Sequence, residues 1–245
     1  MSVTSALFRN STFAFVAFFG FVVLAFWPSY FSRLLDQQTY HAHAHGVAML
    51  LWCLLLIGQA YLIRVNQRVL HRRLGKISFV LVPIIAVTTI RFIHFRLADI
   101  PVPQLPPAAY YLLALILNAL IVFIALYALA IHFRHTPALH ARFMLCTVFP
   151  LFTPVTDRLI GQYSPSIAAL VPTIDRTPVL PVAGFLLADA ILIALSVWDL
   201  TKKPRQYVFP IALVLLGLYH VSVLTFHDLP LWRTFCSWFL NLPLS

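Results

Sequence analysis

The chain has 245 residues, of which 61% are hydrophobic and only 10% are charged. Soluble domains carry roughly a quarter charged residues, so this composition excludes a soluble fold and makes lipid the main solvent. The net charge of +10 does not mark a nucleic-acid binder, because the basic residues sit in short segments beside apolar runs, where the positive-inside rule puts them.

Seven apolar segments follow one another, at 11–31, 42–63, 74–94, 109–133, 139–160, 179–199 and 207–227. Each is near the ~20 residues that a spanning helix needs. Helices satisfy every backbone polar group inside the segment, and the alternation of a barrel strand is absent. The expectation is an all-α integral membrane bundle of about seven transmembrane helices, forming a single domain over 1–245. The first run, Phe13 to Trp27 behind Arg9, ends without a small-x-small cleavage pattern and reads as an uncleaved helix.

Connecting segments sort by charge. Arg9, then Arg64, Arg68, Arg72, Arg73 and Lys76, then Arg134 and Arg142, then Lys202, Lys203 and Arg205 fall on one side, against Asp199 alone. The other side holds Arg33, Arg91, Arg96, Arg158, Arg176 and Arg233, balanced by Asp36, Asp99, Asp157, Asp175 and Asp228. This predicts a cytoplasmic N-terminus and an external C-terminus. The run from Pro101 to Pro107 is a stiff connector. Pro150 and Pro154 predict a kink in the fifth helix. Residues 161–178 suit a short re-entrant or interfacial piece, and the aromatic tail 231–244 suits the external interface. Cys53, Cys146 and Cys236 make no metal or redox spacing.

Polar groups inside apolar runs are expensive and mark candidate sites. His45, Arg91, Asn118, Asp157, Arg158, Asp189 and His220 all fall in the external half of their helices. They predict a polar cavity open to that side. Asp189 and His220 lie on consecutive helices at similar depth, where a carboxylate can orient an imidazole or simply join two helices. His41 and His45, four apart, share a helix face and suit zinc or another transition metal, with His94 and His227 available to complete the site. His43 points elsewhere, and His132, His135 and His140 read as a solvated basic loop with Arg134 and Arg142.

Ten histidines, mostly at helix ends, also suit bis-histidine b-type haem. An external pair drawn from His45, His94 and His220, with Arg91 or Arg158 for the propionates, and an internal pair of His71 and His140 are the candidates. Such a protein would exchange electrons with a quinone or another electron-transfer partner. Two other classes stay open: a metal-dependent membrane hydrolase with a His/Asp site at the external face, and a non-catalytic assembly or structural subunit of a membrane complex. A retinal protein is disfavoured, since the seventh helix holds no lysine for a Schiff base.

His45-Gly46, His71-Arg-Arg-Leu-Gly75, His140-Ala-Arg-Phe-Met144 and the closing Arg158 resemble a group of bacterial polytopic membrane proteins of unassigned function. The resemblance covers helices two to five and implies a multi-pass protein of the inner (plasma) membrane. The arrangement is also similar to cytochrome b561-type bundles, which implies paired histidines holding haem near both membrane faces. Histidine and aspartate near one face of seven helices also resemble the adiponectin-receptor and ceramidase type. The departure is that His220 and His227 lie seven apart, with no HxxxH in the seventh helix.

Overall fold

The computed structural model describes residues 3–34, 39–174, 177–201 and 206–244, the side chains of 3–9, 103 and 177 excepted. Asp36, Asp175, Arg176, Lys202, Lys203, Arg205 and the Arg9 side chain lie outside the described residues. The helices are α1 (Val3–Phe26), α2 (Tyr40–Arg64), α3 (Arg68–Gly75), α4 (Ser78–Leu97), α5 (Pro107–His132), α6 (Pro137–Cys146), α7 (Phe149–Tyr163), α8 (Pro165–Ala168), α9 (Pro181–Thr201), α10 (Val208–Thr225) and α11 (Pro230–Leu240). A two-residue antiparallel pairing, Thr173 with Pro178 and Ile174 with Thr177, closes the segment after α8. Six stretches are long and apolar enough to cross a membrane: 40–64, 68–97, 107–132, 137–163, 181–201 and 208–228. The chain is therefore an all-α, multi-pass membrane protein. Residues 10–26 of α1 form a shorter apolar helix.

Local chemistry sets the boundaries. α2 ends in a Schellman motif, with the Gln67 N–H donating to Leu62 O at 2.8 Å and the Asn66 N–H to Ile63 O at 3.1 Å. The motif needs a left-handed residue, and Asn66 supplies it with φ 60°. The third apolar segment is longer than expected, since the chain is helical again from Arg68 and breaks only at Lys76–Ile77. The fifth divides into α6 and α7 at Thr147–Val148, because Pro150 has no N–H to offer the carbonyl one turn back. Pro154 stays inside α7, as does Pro83 inside α4.

Contacts gather the chain into two units, dividing between Thr89 and Ile90 within α4. In the first unit α1 packs on α2 and α2 on α3. Trp52, Leu56 and Ile85 are its buried centre, and the Arg64 guanidinium lies 4.4 Å from the Phe13 ring centroid. The Tyr30 ring fills the place of a Cβ at Gly46, 2.9 Å away.

In the second unit α5 packs on α6, α7 and α10, and α9 on α7 and α10. Leu113, Leu126, Leu192, Phe209, Ala212 and Leu216 are fully buried there. Gly184 lets α9 meet α7, since a Cβ would strike Thr156 Oγ1 and sit 3.3 Å from the Thr153 backbone. Small residues serve membrane helices by allowing such approach. Gly184→Leu is expected to lower the thermal unfolding temperature in detergent, at a cost of about 1–3 kcal/mol or more. Gly217→Ala, with nothing within 4 Å of its new Cβ, is expected to leave it unchanged or raise it slightly.

Candidate functional site

In the second unit, α9 and α10 bring Asp189 and His220 together, with Nδ1 3.0 Å from Asp189 Oδ2. The imidazole is 8% exposed and the carboxylate 29%. Phe185, one turn before Asp189, stacks on the imidazole at 4.0 Å between centroids and 19° between planes. A carboxylate only accepts, so Nδ1 carries the proton and a neutral His220 keeps its lone pair on Nε2.

The same logic fixes three other histidines. In the second unit His140 Nδ1 lies 2.8 Å from the Ala130 carbonyl. In the first unit His71 Nδ1 lies 3.3 Å from the Gln59 carbonyl. His45 Nδ1 lies 3.2 Å from Thr89 Oγ1, whose single proton already goes to the Ile85 carbonyl at 2.7 Å. With the Thr89 proton on Ile85, His45 Nδ1–H is the donor in this contact. In all four, the partner at Nδ1 fixes the ring, and a neutral imidazole facing such an acceptor carries its proton on Nδ1.

The other candidate residues have partners of their own. Asn118 donates to Ser222 Oγ at 2.8 Å, Arg91 Nε to the Leu244 carbonyl at 3.1 Å, and Arg158 to the Pro154 carbonyl at 2.8 Å. Asp157 lies near Arg158, Tyr111 and Tyr219. Asn118, Arg91, Arg158, Asp157, Asp189 and His220 belong to the second unit and His45 to the first.

His43 Nδ1 meets Tyr30 Oη at 3.3 Å, and the His41 ring packs edge-on to Tyr40. Among the described residues, no three His, Cys or Asp side chains gather so as to hold a metal ion. His94 is 1% exposed, edge-on to Phe239 at 5.4 Å, and among the described residues neither ring nitrogen has a hydrogen-bond partner. His227 Nε2 lies 3.2 Å from Asp228 Oδ2. Cys53, Cys146 and Cys236 are buried free thiols; in α11, burial pushes the Cys236 thiol up to about 12, so it stays protonated.

One pair escaped the sequence reading and corrects it. Arg142, assigned to a solvated loop, is 2% exposed, and Asp199 1%. Arg142 Nε and one terminal amine bond the two oxygens of Asp199, each at 2.8 Å, and the other amine donates to Ala138 O at 2.8 Å. His140 likewise leaves the solvated group through its bond to Ala130, whereas His132, Arg134 and His135 are exposed. The one available signal was that Asp199 stands alone among eleven bases on its side.

No protein-family model, characterised protein or solved structure matches this chain. Function therefore rests on the chemistry of these residues. Breaking a buried ion pair from one side leaves an uncompensated charge and costs roughly 3–5 kcal/mol. Asp199→Ala is expected to lose about that much in detergent unfolding, and Asp199→Ala with Arg142→Met to recover most of it.

Proposed function

We propose that the chain is a bacterial inner-membrane redox protein that crosses the bilayer seven times, with its N-terminus in the cytoplasm, and holds b-type haem on histidine. The observation that carries this reading is the common tautomer of His45, His71, His140 and His220. In each, a partner at Nδ1 fixes the ring, the outer-shell arrangement that orients metal-ligating histidines. Buried His94, with no partner at either nitrogen among the described residues, fits the same need, since an orphaned polar group costs about 1–3 kcal/mol unless something binds it.

Bound haem would supply one-electron transfer. The chain's part is to hold the rings, to exclude water through Phe185 and the apolar faces, and to set the basicity of the ligands. Asp189 holds the His220 ring through a carboxylate, where His71 and His140 meet neutral backbone carbonyls. Arg91 and Arg158 provide cations for the propionates, and a quinone or a second redox protein serves as electron partner. A metal-hydrolase site at His41 and His45 has less support, because no third ligand joins them among the described residues.

Protein purified from haem-replete cells is expected to show a Soret band that dithionite shifts. His140→Ala and His220→Ala should each lower the haem content. Asp189→Asn should keep haem but weaken its retention, about 10–100-fold as for other outer-shell changes. A colourless preparation, or a spectrum unaltered in both histidine variants, overturns the reading.

A further inference from the structure

The short helix α3 carries a surface that the haem reading does not use. Arg64, Arg68, Arg72, Arg73 and Lys76 place five positive charges within the segment 64–76, and all five residues are exposed. Asp36 is the only acid in residues 1–89, so the first unit has little negative charge of its own to set against them. Among the described residues, no carboxylate pairs with Arg68, Arg72, Arg73 or Lys76.

α3 sorts its side chains by face. Residues four apart lie on one side of a helix, and Lys76 keeps α-helical backbone angles just after α3. Arg68, Arg72 and Lys76 therefore share a face, with Val69 and Arg73 on its flank. His71 and Gly75 share a second face, which lies against α2. His71 Nδ1 is 3.3 Å from the Gln59 carbonyl, and a Cβ at Gly75 would come 3.3 Å from Gln59 Oε1. Leu70 and Leu74 share a third face and are 42% and 39% exposed. Water is a poor neighbour for these leucines. A basic face beside an apolar one is the pattern of a helix lying in the membrane interface.

Helix length gives the same depth. α2 has 25 residues, about 38 Å at the usual rise per residue, which exceeds the ~30 Å hydrocarbon core. It extends past that core, and its charged end at Arg64 belongs among the headgroups. The Gln59–His71 contact holds α3 beside that end. Guanidinium groups bind phosphate oxygens through paired N–H donors. We propose that α3 and Lys76 form a binding site for anionic phospholipid headgroups. Arg68, Arg72, Arg73 and Lys76 meet the phosphates, and Leu70 and Leu74 rest on the upper acyl carbons. This inference stands apart from haem binding, because none of these side chains is a proposed haem ligand.

The test is electron spin resonance of the full chain in phosphatidylcholine vesicles that carry a trace of spin-labelled lipid. Spin-labelled phosphatidylglycerol is expected to be immobilised at the protein in larger fraction than spin-labelled phosphatidylcholine. That excess should shrink between roughly 0.01 M and 1 M salt, as the screening length falls from ~30 to ~3 Å. Joint Arg68→Gln, Arg72→Gln, Arg73→Gln and Lys76→Gln substitution should remove most of it, whereas joint Lys202→Gln, Lys203→Gln and Arg205→Gln substitution should keep most of it. If the α3 variant does not fold, Arg72→Gln alone should lower the phosphatidylglycerol preference, about fivefold at most. No excess in the wild type, an excess unaltered by the α3 substitution that folds, or an equal loss in the 202–205 variant overturns the proposal.

Discussion

A polar group in hydrocarbon has no water to turn to, so each one must be matched inside the protein. That constraint governs this chain at every level. It forces the backbone into helices, and it explains why the one acid on the strongly basic side, Asp199, is locked to Arg142 by two bonds of 2.8 Å. Arg142 sits near the start of α6 and Asp199 near the end of α9. The pair joins two helices of the second unit, α6 and α9.

The same constraint selects histidine tautomers. A carbonyl or carboxylate at Nδ1 leaves neutral imidazole no choice but to keep its lone pair on Nε2. Backbone carbonyls serve His71 and His140, a carboxylate serves His220, and a threonine hydroxyl committed to Ile85 serves His45. Different elements with different chemistry reach one electronic outcome.

Much of the architecture was legible because its causes are local. Apolar runs marked the spans, and Pro150 marked the break before α7, since a missing N–H acts on its own helix. The Asp189–His220 contact followed from helix rise, because consecutive antiparallel helices of known register place equal depths side by side. The Arg142–Asp199 pair did not follow, being separated by 57 positions with an equally plausible solvated reading for each partner. Nor did the bond between His45 and Thr89. Their helices are apolar on nearly all sides, so no stripe reveals which face turns inward.

The most direct check of the account is the protonation pattern of the imidazoles themselves. Nitrogen-15 NMR of histidine-labelled, cofactor-free protein in bilayers, assigned by single His→Asn substitutions, reports which ring nitrogen carries the proton. His45, His71, His140 and His220 are each expected to carry a proton on Nδ1. Protons found on Nε2 of these rings, with Nδ1 bare, would contradict the hydrogen-bond arrangement on which the redox reading stands.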